Sequence, residues 1–136
     1  MNSEEARRRL GAARVARLAT VSAGGQPHLV PITFAADGDL VYTAVDAKPK
    51  TTRRLQRLSN IRGNHRVAVL ADHYDEDWSA LWWVRADGEA AILDDPAVIA
   101  GPVRLLADRY SQYRDSRPAG PVIAIRVDRW TGWSAS

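Results

Sequence analysis

The chain has 136 residues, of which 46% are hydrophobic and 26% are charged, and this balance predicts one globular domain spanning residues 1–136. It contains no cysteine, which excludes disulfides and thiolate metal sites and suits a reducing cytoplasm. The first residues lack the apolar core of a secretory signal, and no apolar run approaches the roughly 18 residues of a membrane helix. These features predict a cytoplasmic protein that does not bind membranes. Because the net charge is only +3, we also expect no binding to nucleic acid.

The first half of the chain predicts a short helix followed by three strands. Apolar residues recur at helical spacing over residues 3–13, with a helix start at Ser3. Alternating or apolar segments predict strands at residues 15–21, 28–34 and 40–45. Pro31 lies inside the second of these strands and has no amide hydrogen, so we expect an edge, a bulge or an approaching ligand at that position.

The second half predicts strands around two helices. The first helix follows Lys50 and buries Leu55, Leu58 and Ile61. The second begins at Asp94-Asp95-Pro96, and Gly101-Pro102 is predicted to break it into two pieces. Four strands are predicted in this half, at residues 67–71, 81–85, 89–93 and 122–127, with a turn at Asp87-Gly88 between the middle two.

Six or seven short strands with turns at intervals of 8–12 residues indicate the fold class. The strands do not alternate regularly with helices, which argues against a doubly wound parallel sheet. The sequence therefore predicts a mainly β chain with helices (α+β), built as a small antiparallel barrel.

One strongly basic segment follows the third strand. Residues 47–71 contain seven of the 19 lysines and arginines and no acidic residue. The segment opens with Lys48-Pro49-Lys50-Thr51-Thr52-Arg53-Arg54, at the predicted start of a helix. A helix start presents unpaired amide groups and a positive dipole end, so these residues predict a site for a phosphorylated small molecule. The alternative is a solvated basic helix face.

Taken in order, these pieces resemble the pyridoxamine 5'-phosphate oxidase-like split β-barrel family. Within that family they are most similar to the actinobacterial branch of deazaflavin (coenzyme F-420)-dependent oxidoreductases. The matching segments are residues 16–21, 25–31, 48–52, 60–67, 72–78 and 84–90.

The resemblance implies a homodimer with two flavin-type sites at the subunit interface. It implies that the backbone at Val30, Pro31 and Ile32 runs beside the cofactor ring. The phosphate contacts that it implies are Tyr42 and Thr43 at the end of the third strand, and Lys48, Lys50, Thr51 and Arg53 at the helix start. Arg57 is the alternative occupant of the family's basic position, because Lys50-Thr51 lies further from Asn60-Ile61 than in relatives.

Several aromatic residues and one histidine are further candidates. Trp78 aligns with a family position near the cofactor. Trp82 and Trp83 are adjacent in a strand and so face opposite sides, which allows only one of them to line a given pocket. Trp83 is included among the cofactor contacts, with core or dimer interface as the alternative for either residue. His28 is either a hydrogen-bond partner of the ring or an ordinary strand residue, and Trp130 and Trp133 are expected in the core or the interface.

Three functions remain open at this point. The first is an oxidoreductase that passes a hydride from reduced coenzyme F-420 to a small, conjugated organic acceptor. The second is an FMN-dependent oxidoreductase on the same fold, and the third is a cofactor-binding module without turnover. The sequence nominates no metal site and no general acid or base, and it does not identify the substrate.

Overall fold

The computed structural model describes residues 1–45 and 52–136, with the side chains of residues 52–55 outside that description. Within these ranges seven strands form one sheet: β1 (Ala16–Val21), β2 (Pro27–Ile32), β3 (Ala35–Asp37), β4 (Leu40–Ala44), β5 (Arg66–His73), β6 (Trp82–Leu93) and β7 (Val122–Ser134). The helices are α1 (Ser3–Ala12), α2 (Thr52–Gly63), α3 (Pro96–Arg109) and α4 (Ser111–Asp115), with a 3-10 turn at Trp78–Ala80. In the described part of the chain, no helix is long and apolar enough to cross a membrane.

The sheet closes on itself as a barrel. All its strand pairs are antiparallel, and the strand order β2-β1-β5-β6-β7-β4-β3 puts β2 and β3 at opposite edges. A flat sheet would separate those edges by about 29 Å, yet only Thr33 and Phe34 connect them, a span of at most about 11 Å. The sheet must therefore curl, and the Thr43 hydroxyl in β4 donates to the Thr33 carbonyl at 2.8 Å where the edges meet. The predicted antiparallel α+β barrel is confirmed.

The inner face of the curled sheet holds the main core. Every second residue of β1, β2, β5 and β6 points inward, and two helices pack onto the same core. Helix α1 contributes Ala6 and Leu10, and it begins at Ser3 as predicted, capped by the Asn2 side chain, which accepts from the Glu5 amide at 2.8 Å. Helix α2 contributes the predicted Leu58 and Ile61, which are 5% and 1% exposed, whereas the Leu55 side chain lies outside the described residues.

The described helices cover only part of the outer face of the sheet. Helix α3 packs there on β3, β4 and the first residues of β7, burying Ile99, Val103 and Leu106 against Ala44 and Val122. We call this area the covered half. No helix of the described chain lies over the rest of the outer face, which we call the uncovered half. It consists of the outward residues of β1, β2, β5, residues 82–87 of β6 and the end of β7.

The prediction of two short strands around Asp87-Gly88 is wrong. Strand β6 is continuous over 12 residues and pairs with β7, which extends to Ser134 and not only to residue 127. A register shift at Asp87/Gly88 leaves Asp128 as an extra residue, which is a β-bulge. A Cβ at Gly88 would lie 2.2 Å from the Arg126 carbonyl oxygen, so glycine is needed here for close backbone approach and not for a turn.

The predicted break in the second helix is also wrong. Helix α3 continues through Pro102 to Arg109. A proline inside a helix costs about 3 kcal/mol, and each large apolar side chain buried against the sheet contributes about 1.5–3 kcal/mol. Because Ile99, Val103 and Leu106 lie on both sides of Pro102, their burial outweighs that cost.

Candidate functional site

The uncovered half carries an apolar hollow of about 490 Å³. It is formed by outward residues of four adjacent strands: Arg17 and Ala19 of β1, Leu29 of β2, Ala68, Leu70 and Asp72 of β5, and Trp83 and Arg85 of β6. Leu29 is 68% exposed and Leu70 is 38% exposed, although both lie in the middle of regular strands. An apolar concave surface with a few polar groups is the usual form of a small-molecule site.

Strand register explains why these residues lie together. Arg17 pairs with Pro31 on one side and with Leu70 on the other, and Leu70 pairs with Arg85. Trp83 pairs with Trp133 of β7, so two tryptophans extend the apolar surface toward the end of the sheet. Directly opposed residues in antiparallel strands place their side chains on the same face.

The charges in the apolar hollow are already matched. Arg85 donates to Asp87 through Nε at 3.0 Å and Nη2 at 3.2 Å. Arg17 Nη1 lies 3.5 Å from Asp72 Oδ1. The apolar hollow is therefore close to neutral, and it suits the uncharged part of a ligand better than a phosphate.

A second hollow of about 360 Å³ adjoins the first and shares Ala19 and Ala68 with it. We call it the charged hollow, because Arg66, Asp87, Asp128 and Arg129 line it. Arg66 Nη1 donates to Asp128 at 2.6 Å, and this bond holds the pKa of Asp128 below its ordinary value. The two hollows form one continuous depression, apolar at one end and charged at the other.

The three predicted ring contacts on β2 differ in their surroundings. β2 is an edge strand, which explains how Pro31 is accommodated without an amide hydrogen. Pro31 is exposed on the outer face opposite Arg17. Val30 packs against the inner core and Ile32 is 4% exposed, so only their backbone groups are available at the edge.

His28 is the described histidine with the least ordinary environment. It lies opposite Thr20 on the inner side of β2, and its Nδ1 is buried with no hydrogen-bond partner among the described residues. Thr20 is itself engaged by Asn60 of α2, whose Nδ2 donates to the hydroxyl at 3.0 Å. A buried ring nitrogen without a partner is costly, and a ligand group at the β2 edge would relieve that cost.

Tyr42 and Thr43 lie on opposite sides of β4. The Thr43 side chain is 1% exposed and uses its only donor on the Thr33 carbonyl. Tyr42 faces α3 and lines a separate hollow of about 430 Å³ with Leu105 and Asp108. Burial and the nearby Asp37 raise the pKa of Tyr42. Their proposed phosphate contacts remain predictions, and Thr43 has no free donor for one.

The basic helix start falls outside the described part of the chain. Lys48, Lys50 and Thr51 are not among the described residues, nor is the side chain of Arg53. Arg57 is half-buried on α2, one residue before the core residue Leu58. The role of all five in binding phosphate stays a prediction.

The predicted opposite orientation of Trp82 and Trp83 is confirmed. Trp83 lines the apolar hollow, whereas Trp82 packs on the inner core with the Arg9 guanidinium 5.5 Å from its ring centroid. Trp130 is also on the inner side and donates to Asp39 at 2.9 Å. Trp78 is 67% exposed in the 3-10 turn and does not line the apolar hollow, so its predicted cofactor contact is untested within one chain.

The sequence reasoning missed most residues that line the depression. The missed residues include Arg17, Leu29, Leu70, Arg85 and Arg129. The two leucines could have indicated this surface from the sequence. Leu29 and Leu70 occupy outward positions of β2 and β5, where a solvent-facing strand usually carries polar residues.

Comparison with known proteins supports the architecture. A family model described as Pyridoxamine 5'-phosphate oxidase matches residues 3–134. The conserved hypothetical protein Rv2991 from Mycobacterium tuberculosis is similar at a TM-score of 0.81, with 22% identity over 99% of this chain and 86% of that one. An FAD-binding protein (mll6688) from Mesorhizobium loti has a TM-score of 0.75, with 21% identity over 97% of this chain and 94% of that one. HutZ, the heme storage protein from Vibrio cholerae, has a TM-score of 0.71 and 14% identity over 96% and 90%. None of the curated proteins compared with the chain matches it.

Proposed function

Because the chain belongs to the pyridoxamine 5'-phosphate oxidase family, we propose that it is an oxidoreductase that binds a flavin-type cofactor against the uncovered half of its split barrel. The cofactor that we propose is the deazaflavin coenzyme F-420, with FMN as the alternative. The proposed reaction is reduction of a small, conjugated organic acceptor. The observation that carries the proposal is the apolar hollow beside the β2 edge, lined by Trp83 and two exposed leucines.

The described residues fit the flat ring of such a cofactor. Trp83, Leu29 and Leu70 offer an apolar wall of the kind that a tricyclic ring requires. Pro31 is exposed on the same outer face, in the strand whose backbone is implied to run beside the ring. Since Arg17 and Arg85 are already paired with Asp72 and Asp87, the anionic part must bind elsewhere. The basic residues 48–53 of the sequence are our candidates for that role.

When bound, a cofactor of this class supplies the hydride chemistry, and the protein contributes binding, orientation and exclusion of water. Trp83 and Leu70 would shield one face of the ring from solvent. The β2 backbone at Pro31 would orient its edge. The name of the Mesorhizobium loti protein, which binds FAD, agrees with a flavin-type ligand on this fold.

The direct test is titration of the purified protein with F-420, FMN and hemin, followed by fluorescence or absorbance. We expect F-420 to bind more tightly than FMN, and hemin to bind weakly because none of the residues lining the apolar hollow is a histidine. Replacing Trp83 by Ala should weaken F-420 binding about tenfold through loss of ring contact, whereas Trp83→Phe should retain most of the affinity. A preference for FMN would replace the first cofactor by the second.

The basic segment is tested by the double variant Lys50→Ala/Arg53→Ala. Charge-assisted hydrogen bonds contribute about 1.5–3 kcal/mol each, so F-420 affinity should fall at least tenfold. The matched control is Arg104→Ala/Arg117→Ala, which removes the same charge from α3 and from the chain after α4. Equal affinity in the two double variants would place the anionic site elsewhere.

We further propose that the protein is a homodimer whose interface is the apolar part of the uncovered half, with the cofactor between the two subunits. Leu29, Leu70 and Trp133 are 68%, 38% and 46% exposed on one continuous face, which is unusual for the surface of a monomer. Leu29→Glu should shift the protein toward monomer in sedimentation or light-scattering measurements. Val98→Glu is the control, because Val98 is 51% exposed on α3, away from this face. A monomeric wild-type protein would rule out the dimer.

A binding module without turnover is the second candidate. The carboxylates beside the apolar hollow, Asp72 and Asp87, are both engaged by arginines, so neither is a free acid or base. The two functions differ in one measurement, the acceptor-dependent oxidation of reduced F-420 with a panel of conjugated enones and nitro compounds. Tight cofactor binding without oxidation by any acceptor would favour the binding module.

A further inference from the structure

One row of residues crosses the uncovered half from an apolar to a cationic end. Strand register aligns Leu29 with Ala19, Ala19 with Ala68, Ala68 with Asp87, and Asp87 with Arg129. Neighbouring strands are about 4.8 Å apart, so the row is about 19 Å long. Its middle is low because both residues there are alanines. The row is therefore the floor of a groove that joins the apolar hollow to the charged hollow.

Arg129 contributes a positive charge to this groove that no neighbouring carboxylate neutralises in the described ranges. Asp87 is held by Arg85 at 3.0 Å and Asp128 by Arg66 at 2.6 Å, so both carboxylates of the charged hollow are matched. Arg129 is exposed and makes no ion pair with any residue in the described ranges. An exposed guanidinium beside neutralised carboxylates is suited to bind a planar anion by two parallel hydrogen bonds.

The β-bulge explains why Arg129 faces the groove. Val127 is 5% exposed and points into the core, so regular alternation would also turn Arg129 inward. The extra residue Asp128 resets the alternation, so that Arg129 pairs with Asp87 on the outer face and Trp130 turns inward. Bulges of this kind re-aim side chains next to functional sites.

We propose that Arg129 binds the acid group of the acceptor, so that the acceptors of this protein are flat apolar compounds that carry a carboxylate. This inference rests on the proposed function and adds the substrate class. The apolar part of the acceptor lies over Ala19 and Ala68, between Arg129 and the cofactor ring proposed beside Trp83 and Leu70. Its carboxylate lies about 10 Å from Ala68, two strands away at Arg129. An uncharged analogue of the same shape loses the contact with Arg129.

The test uses 2-naphthoate and its neutral isostere 2-naphthamide, titrated into the whole protein without cofactor and followed by calorimetry. Wild type should bind the acid about tenfold more tightly than the amide. Arg129→Gln should abolish that preference while leaving amide binding unchanged. Arg126→Gln is the matched control, because it removes an exposed arginine of the same strand that lies 3.8 Å from Glu89, and it should keep the preference.

Each other result overturns the inference. Equal binding of acid and amide by wild type, or an undiminished preference in Arg129→Gln, removes the acid-binding role. If Arg129→Gln weakens F-420 but leaves the naphthoate preference intact, the anion at Arg129 belongs to the cofactor and not to the acceptor. If it changes only dimer dissociation, Arg129 pairs with a carboxylate of a second copy. The F-420 titration of wild type is separate, so failure of the proposed function is recognised independently.

Discussion

The covered and uncovered halves of the barrel belong to the same sheet, but their outward side chains differ in exposure to solvent. In the covered half, outward side chains such as Val122 meet α3, where Leu106 is 0% exposed. In the uncovered half, Leu29 remains 68% exposed and Trp133 46% exposed. The difference teaches that alternation decides which residues face outward, whereas the arrangement of helices decides which of them remain available for a ligand or a partner.

The two halves also differ in polarity. The outward residues under α3 are apolar and pack as a second core with Ile99 and Val103. The uncovered half mixes leucines with the ion pairs Arg85–Asp87 and Arg66–Asp128. Ion pairs on an exposed surface add little stability, so these pairs make the uncovered half more polar without forming a second core.

The largest expected difference between the halves concerns matched leucines. Leu106→Ala should reduce the free energy of unfolding by about 3–5 kcal/mol, because it leaves a cavity under α3. Leu70→Ala should cost less than about 1 kcal/mol within one subunit, because Leu70 is 38% exposed. Urea unfolding at several protein concentrations measures both. Equal, concentration-independent losses would contradict the division into two halves.

A smaller effect is expected at the bulge, where β6 passes from the uncovered to the covered half. Gly88→Ala should destabilise the protein by about 2–3 kcal/mol, because its Cβ cannot fit 2.2 Å from the Arg126 carbonyl. Gly101→Ala is the control in α3, where an added Cβ meets nothing within 4 Å, and it should stabilise by about 0.5–1 kcal/mol. Changes of the same sign in thermal unfolding would show that the bulge has no special packing requirement.

A third effect tests the contacts that join the end of α3 to the β2–β3 connection and to the end of α1. Arg109, at the end of α3, donates to the carbonyls of Phe34 and Ala13, and Tyr110 also bonds to Phe34. Arg109→Ala should cost about 2 kcal/mol, because the partly buried carbonyls of Phe34 and Ala13 each lose a hydrogen bond from a charged donor. Arg114→Ala should cost less, since the hydrogen bonds of Arg114 within the described chain go to carbonyls of α3 itself. The free energies of unfolding of the two variants should differ measurably.

The smallest effect is a pH dependence in the charged hollow. Because Arg66 lowers the pKa of Asp128 from its ordinary 3.8, the ionised form stabilises the folded state. The stabilisation by ionised Asp128 is fully present well above pH 3.8, the pKa of the unfolded state. It is lost as the pH falls through the lower pKa that Asp128 has in the folded state. The melting temperature of Asp128→Asn should therefore lie slightly below that of wild type at pH 6 and approach it in acid. Arg66→Gln should remove the same dependence, and a constant offset would contradict the assignment.

Much of the fold was predictable because its signals are local. Strand alternation predicted β1, β2 and β4, and the spacing of Leu58 and Ile61 predicted the buried side of α2. Two of the errors, at Gly88 and Pro102, arose where a residue that usually ends an element is held inside one by contacts distant in sequence. The tendency of glycine and proline to end strands and helices is a local property, and it does not include such contacts.

The candidate site was predicted less completely. Pro31 and Trp83 were singled out from the chain, and both lie on the outer face of the uncovered half. Arg17 and Leu70 were not, because their significance depends on register between β1 and β5, which are separated by some 50 residues. Arg129 required the bulge as well, since simple alternation from Val127 would have turned it inward.

By itself the sequence determined the strand-rich class, the order of elements, and a basic segment after β4, because alternation, turn residues and charge runs act within a few residues. Only the tertiary structure decided that β2 and β3 become neighbouring edges, that α3 covers one half of the sheet, and that Arg129 faces the other. These outcomes depend on pairing and packing between distant residues, and no local pattern encodes them.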